Sequence, residues 1–491
     1  MTLPLVLLVN PRVARRRNAR LPLSLLVLAA GLEGRARVRI VDGNFEDDAV
    51  ASVLAAFGVE RPALVGVTVM PGPQVAPAIA VSRAVRERHP GVPIVWGGYF
   101  PTLYADAALA APYVDVAVRG PGEATLVELL DALATRRALD SVAGISWKDG
   151  GRVVRNADRP PGPPDALPPL PYDLLGDVGR FLQPTFLGRR TAVHQAAVGC
   201  RHRCAFCGVV SMFDGRTLLP PAERVARDLA VLKERHGADA VQFYDHNFFD
   251  REETSVPLLE ALGRAGLPYW CYARPDALAR FSARTWELVE RSGMRMVFMG
   301  AEASSDEALR RMHKGTRVEE TIEATRRCRE AGIVPELSFV LGGPGDPEAE
   351  VEKTLRFIRL LKGIHPACEV ILYFWTPTPR RRPAPGSAEA EADVELPTTP
   401  EEWAEPAWVD FVCHRNAPWL SARTRRRIDD FATVLGCRFP TVQDVRLPRW
   451  GKAVLSAAAS WRWATGTWDR PAELHALRRV LPLKRPEAEG L

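Results

Sequence analysis

Long apolar runs are missing from this 491-residue sequence. No window reaches the roughly 18 consecutive apolar residues of a membrane-spanning helix. Leu3–Val9 is strand-sized, and Leu21–Leu32 is broken by Pro22 and Gly31. No basic region precedes Leu3–Val9, so no secretory leader is expected. Cysteine is sparse: eight residues cannot build a disulfide scaffold. A dominant charge is also absent. The 65 basic and 59 acidic residues leave a net of +6, too weak a bias for the basic face of a nucleic-acid binder. What is present is ordinary globular composition, 47% apolar and 25% charged, with length for about two to four domains. A reduced, cytoplasmic enzyme with one cysteine-built site fits these limits.

The first 150 residues alternate strand and helix. Strands are expected at Leu5–Asn10, Val38–Val41, Ala63–Met70, Val92–Trp96 and Val114–Val118, and helices at Leu21–Gly34 and Gln74–His89. Such alternation predicts a doubly wound parallel sheet, whose ligands sit beyond the strands' carboxyl ends. Those ends are Asn10-Pro11, Asp42-Gly43, Met70–Gln74, Gly97–Phe100 and Arg119–Gly122. Ile145–Trp147 and Arg152–Val154 flank a hairpin turn. The proline-rich stretch Arg159–Pro171 reads as a semi-rigid linker. A second series follows, with strands at His194–Val198, Ala240–Tyr244, Tyr269–Ala273, Met296–Met299, Glu336–Leu341 and Glu369–Trp375, and helices including Pro221–Arg235, Glu319–Glu330 and Pro347–Lys362. About six such units predict a partial barrel with its chemistry at the carboxyl ends. Pro377–Glu395 reads as a loop. Trp403–Leu491 is mostly helical and holds seven of the twelve tryptophans. The expected domains are 1–140, a hairpin and linker over 141–185, a barrel over 186–380 and a helical region over 381–491.

The sharpest chemical signal is Cys200-Arg-His-Arg-Cys204-Ala-Phe-Cys207. Three thiolates on one loop suit a four-iron, four-sulfur cluster with one open iron. A zinc site would need a fourth ligand, which His202 could supply. The spacing, with Phe206 before the last cysteine, resembles that of radical S-adenosylmethionine (SAM) enzymes. Phe298-Met-Gly300-Ala-Glu302 resembles the family's segment that meets the SAM amino group, with Ala301 where many members have glycine. Ser338-Phe-Val-Leu-Gly342-Gly-Pro-Gly345 resembles its ribose and adenine segment. Asp245-His-Asn247 and Arg274 follow the second and third barrel strands, where the family places polar cavity residues.

Over residues 1–375 the chain resembles the cobalamin-binding radical SAM family of the class B methyltransferase type. Val95–Thr102 and Val114–Glu123 are similar to its cobalamin-binding domain, with Phe100 and Pro121 where many members have His and Glu. The resemblance implies a Rossmann-like domain, a partial (β/α)6 barrel and a helical C-terminal domain. It implies a [4Fe-4S] cluster on Cys200, Cys204 and Cys207. SAM would meet Phe206, Gly300, Glu302, Ser338 and Gly342. Cobalamin would meet Asn10, Asp42, Met70, Gln74, Gly97, Gly98, Tyr99, Gly120 and Glu123. The Asp-x-His-x-x-Gly motif is missing from the first domain, whose only histidine is His89, so no protein imidazole is expected on cobalt. Asp245, Asn247 and Arg274 are the catalytic candidates.

The implied reaction is methylation of an unactivated carbon of a small-molecule or natural-product substrate, through a 5′-deoxyadenosyl radical and methylcobalamin. Cyclisation or rearrangement without methyl transfer is the alternative within the family. A non-catalytic cobalamin- or SAM-binding regulator is the alternative of another class. A methylthiolating enzyme would need a second cluster, and Cys271, Cys328 and Cys368 lack ligand spacing. A flavodoxin-type reductase is the expected electron donor, the expected state is a monomer, and neither a nucleic-acid partner nor a transmembrane segment is expected. Packing is the default role for Trp450, Trp461, Trp463 and Trp468, with a substrate site or a peripheral membrane contact as alternatives. Arg380–Arg382 reads as a solvated loop.

Overall fold

The computed structural model describes residues 3–163, 168–343, 345–376, 395–415, 417, 419–444 and 446–483. The expected loop at 377–394, with Arg380–Arg382, lies outside them, apart from Glu395.

The first sheet contains β1 (Leu5–Asn10), β2 (Arg37–Asp42), β3 (Leu64–Thr68), β4 (Ile94–Gly97), β5 (Val116–Val118), β6 (Ile145–Asp149) and β7 (Arg152–Arg155), in the order β2-β1-β3-β4-β5-β6-β7. The five leading strands are parallel, and the β6–β7 hairpin extends the edge antiparallel. Every residue of β1 is buried because both faces are covered. Leu7 and Val9 join the core on one face, and Val6 and Leu8 join the core on the other. That is the period-2 alternation of a strand buried on both sides.

The barrel sheet contains β8 (Thr191–His194), β11 (Ala240–Phe243), β12 (Tyr269–Ala273), β13 (Met294–Glu302), β14 (Val334–Leu341) and β15 (Glu369–Phe374), paired in parallel and in chain order. The strand expected at His194–Val198 lies elsewhere: β8 ends at His194. The Ala196 and Ala197 N–H groups go to the Asp245 carboxylate instead of a ladder. β9 (Val198–Gly199) then pairs antiparallel with β10 (Thr217–Leu218). The loop between β9 and β10 carries the three cysteines.

The helices Ala422–Arg438, Arg449–Thr465 and Ala472–Val480 share one core with the barrel, through Phe431, Leu455, Trp468 and Leu474. Trp463 and Trp468 pack round Phe431, whereas Trp450 and Trp461 are 64% and 51% exposed. None of the four lines the large cavity described below. The segment just before these helices behaves differently. Trp403 is fully buried in the core of the first domain, against Phe100 and Tyr104, and Glu401 bonds Tyr113 and Arg83 there. The same segment returns to the barrel, where Trp419 Nε1 donates to the Gly342 carbonyl at 2.7 Å. No helix among the described residues is long and apolar enough to cross a membrane.

Candidate active site and cofactor cavity

A cavity of about 940 Å³ lies between the two sheets. Strand ends of the first domain form one wall: Asn10, Met70, Gln74, Gly97, Gly98, Tyr99, Gly120 and Glu123 all line it. Asp42 does not. It is buried beneath, accepting from Asn10 Nδ2 at 3.2 Å and from Asn44, while Gln74 bonds Asn10, Pro11 and the Met70 N–H. Asp42 therefore braces the wall. Burial raises its pKa, and the Asn44 and Asn10 bonds oppose that. Pro160–Pro163 also line the cavity, so this part of the expected linker is wall as well as spacer.

The barrel supplies the opposite wall with His194, Val198, Met212, Phe213, Arg224, Asp228 and His246. Gly98 is built for close approach. Its φ of +97° is open to glycine, and a Cβ there would stand 2.9 Å from the Val69 carbonyl oxygen. A large roofed cavity edged by glycine turns fits a ligand with the bulk of a corrin. His89 lies outside the lining and stacks on Phe57 at 3.9 Å. The lining does hold two imidazoles from the barrel, His194 and His246, which a reading of the first domain alone misses.

The cysteine loop is held by Ala205 N–H donating to the Met312 carbonyl and by Cys207 N–H donating to that of Cys204. Burial, reinforced by Cys204, pushes the Cys207 thiol up to about 12, and burial also raises Cys200. Gathered thiolates in such a place need positive charge. Arg274 Nη1 stands 3.8 Å from Cys204 Sγ, held by Asp276 at 2.9 Å and the Lys314 carbonyl at 2.6 Å. Three thiols on one loop, Cys204 buried and Cys200 and Cys207 partly so, with cations beside them, suit an iron–sulfur cluster. Among the described residues no three His, Cys, Asp or Glu side chains converge on a single ion. A cuboidal cluster spreads its ligand sulfurs further apart than one zinc ion does.

The SAM candidates meet beside this loop. The register of β13 on β14 shifts between Gly300 and Glu302, and Glu302 adopts φ +62°. This bulge turns the Glu302 carboxylate back against Gly300. Glu302 Oε1 accepts from Lys314 Nζ at 2.7 Å, and Ser338 Oγ lies 3.5 Å from Oε2. Lys314 also stands 5.9 Å from the Phe206 ring centre. Burial works against the lysine's charge, but Glu302 and Cys204 outweigh it and raise the pKa. Gly342 lies further along, under Trp419 and Leu420.

Lys314 carried no sequence signal, being a lone cation in a His-Lys-Gly turn twelve residues after Glu302. Removing it leaves a buried carboxylate unpaired, which costs about 3–5 kcal/mol. Lys314→Met is therefore expected to be less stable than the parent by roughly that amount in urea titration at neutral pH. An unchanged midpoint would mean the pair contributes nothing.

The catalytic candidates sit in three different situations. Asp245 is buried, and its two oxygens take the Ala196 and Ala197 N–H groups. Burial raises its pKa to about 8 against the pull of those bonds. Arg274 stands at the cluster loop. Asn247 is 1% exposed, and among the described residues neither of its amide atoms has a hydrogen-bond partner.

Comparison with known proteins fits this division. Residues 11–130 match the B12-binding domain family model, and residues 195–358 match that of the radical SAM superfamily. The chain is a cobalamin-binding radical SAM enzyme. This enzyme is 28% identical over 345 residues to an uncharacterised methyltransferase, PH0819, of Pyrococcus horikoshii, a match covering 69% of the chain and 73% of the relative. It is 26% identical over 259 residues to the anaerobic magnesium-protoporphyrin IX monomethyl ester cyclase of a Synechocystis species, covering 52% of the chain and about half (51%) of that relative. Its fold matches the structure of the radical SAM methyltransferase TsrM from Kitasatospora setae, which has cobalamin and a [4Fe-4S] cluster bound. The TM-score is 0.66 at 19% identity, over 98% of this chain and 99% of that one. In this radical SAM enzyme the family models end at residue 358, before the last helices.

Proposed function

We propose that this radical SAM enzyme methylates an unactivated carbon of a small-molecule substrate. The observation that carries the reading is the single cavity between the carboxyl ends of both sheets. Its cobalamin wall faces the elements on either side of the cysteine loop. The names of the PH0819 and TsrM relatives support methyl transfer. Bound here, the cluster with SAM would supply a hydrogen-abstracting radical, and cobalamin a transferable methyl group.

The protein's own part is positioning and exclusion of water. Glu302 and Lys314 form a pair of opposite charges that matches the zwitterionic head of an amino acid: the carboxylate faces an ammonium, and the ammonium a carboxylate. Cys200, Cys204 and Cys207 would hold the cluster, with Arg274 balancing its charge. Asp245 fixes the backbone ahead of that loop. Asn247, buried with an unspent amide, would orient the bound substrate, since buried amides normally find partners. His246 spends both ring nitrogens on the protein, so in this reading that imidazole is not a ligand to cobalt. An electron would come from a flavodoxin-type reductase.

The test is anaerobic reconstitution with iron and sulfide, then addition of SAM, methylcobalamin and extract from a deletion strain. The expected result is 5′-deoxyadenosine, together with conversion of one accumulated compound to a product heavier by one methylene. A product of unchanged carbon count would support the ring-forming reading that the cyclase relative favours. Cobalamin binding with no cleavage of SAM would reduce the chain to a binding protein.

A further inference from the structure

Tyr99 and His246 meet across the cavity, one from each domain, with Tyr99 Oη 2.7 Å from His246 Nε2. The other ring nitrogen, Nδ1, lies 3.0 Å from the Gly199 nitrogen, whose N–H donates to it. A peptide N–H can only donate, so Nδ1 is the bare nitrogen of a neutral imidazole and the ring proton sits on Nε2. Burial lowers the pKa of His246 to about 4, which keeps the ring neutral at ordinary pH. The Nε2–H therefore donates to the tyrosine oxygen, and the tyrosine's own hydrogen is left over. Both side chains line the cavity, and no protein acceptor takes that hydrogen among the described residues.

We propose that Tyr99 donates this hydrogen to an oxygen acceptor on the corrin of bound cobalamin, and that His246 carries the contact to the peptide N–H just before Cys200. The rim of a corrin bears amide carbonyls, which are acceptors of the required kind. The inference rests on the reading that this cavity holds cobalamin. Tyr99 thus touches the cofactor, while His246 is a positioning residue whose tautomer is set by the cluster loop itself. Cofactor occupancy and the setting of that loop are linked through two hydrogen bonds.

Tyr99→Phe keeps the ring and removes only the hydroxyl. The experiment uses the full chain, reconstituted with its cluster and freed of cobalamin, and measures two quantities. Absorbance titration with hydroxocobalamin is expected to give a Kd about three- to tenfold weaker than the parent's, the size of one hydrogen bond. The electron paramagnetic resonance of the reduced cluster, with and without diamagnetic methylcobalamin, is expected to shift in the parent and not in the variant. Iron content and thermal midpoint matched to the parent confirm that the variant folds. Binding within about twofold of the parent overturns the proposed contact. A cluster signal that still responds to cobalamin in Tyr99→Phe overturns the link through His246. A parent that binds no hydroxocobalamin overturns the cavity reading itself, an outcome distinct from either.

Discussion

Cys204→Ala is expected to remove the iron–sulfur cluster and with it all cleavage of SAM, while cobalamin still binds. Cys204 is the middle thiol of the three and is 7% exposed. Its carbonyl takes the Cys207 N–H, and its sulfur is the one nearest Arg274. Two thiolates cannot hold a cluster that already leaves one iron open, and no other cysteine is placed on that loop. Arg274 would lose the thiolate beside it and keep only Asp276 as a counter-charge. Iron analysis and absorbance after anaerobic reconstitution should show no cluster, and no 5′-deoxyadenosine should form. The cysteines lie outside the cavity lining, so hydroxocobalamin should still bind, its Kd weakened no more than in Tyr99→Phe. Unchanged iron content in the variant would remove Cys204 from the ligand set.

Gly98→Val is expected to abolish cobalamin binding. The residue begins the helix Tyr99–Leu103 with φ +97° and ψ −163°, a conformation essentially reserved for glycine. A Cβ there would meet the Val69 carbonyl oxygen at 2.9 Å, the Val69 nitrogen at 3.3 Å and Thr68 Oγ1 at 3.3 Å. Two of these neighbours are backbone, so the strand end itself must move. That strand end also orients Tyr99. The strain is about 1–3 kcal/mol before the steric cost is added. Gly150→Ala is the control. It too has positive φ, +53°, but nothing lies within 4 Å of its Cβ and it sits in the β6–β7 turn. The control should lose about 1 kcal/mol of stability and keep its cofactor. If Gly98→Val titrates with hydroxocobalamin like the parent, the cofactor lies elsewhere.

Much of the fold was legible because strands buried on both faces read as apolar runs that stop at glycine or proline. Leu5–Asn10 and Tyr269–Ala273 match to the residue, and Glu369–Trp375 overruns by one. His194–Val198 was misread because its apolar alternation looks like a strand, whereas the peptide N–H groups answer to an aspartate fifty residues later. The cavity wall was legible for a similar reason, since parallel sheets place ligands at strand ends, and eight of the nine residues expected to meet cobalamin line the cavity. Asp42 has the right position in sequence but points beneath the wall.

The Tyr99–His246 bond and the seat of Trp403 against Phe100 were not legible. Each depends on partners far apart in the chain, and no local periodicity encodes such a meeting. The ion pair of Glu302 was hidden for another reason. The Gly-x-Glu spacing marks the carboxylate, but the bulge that turns it inward is a property of the register between β13 and β14.

Trp403 and Trp419 act together as a clasp. One end is a tryptophan sunk in the vitamin-binding half, and the other a tryptophan fastened to the turn at Gly342. Opening the two halves like a shell would have to draw Trp403 from its socket, at a cost of about 3–5 kcal/mol if judged by truncation of such side chains. The clasp therefore favours a rigid vessel over a pair of jaws.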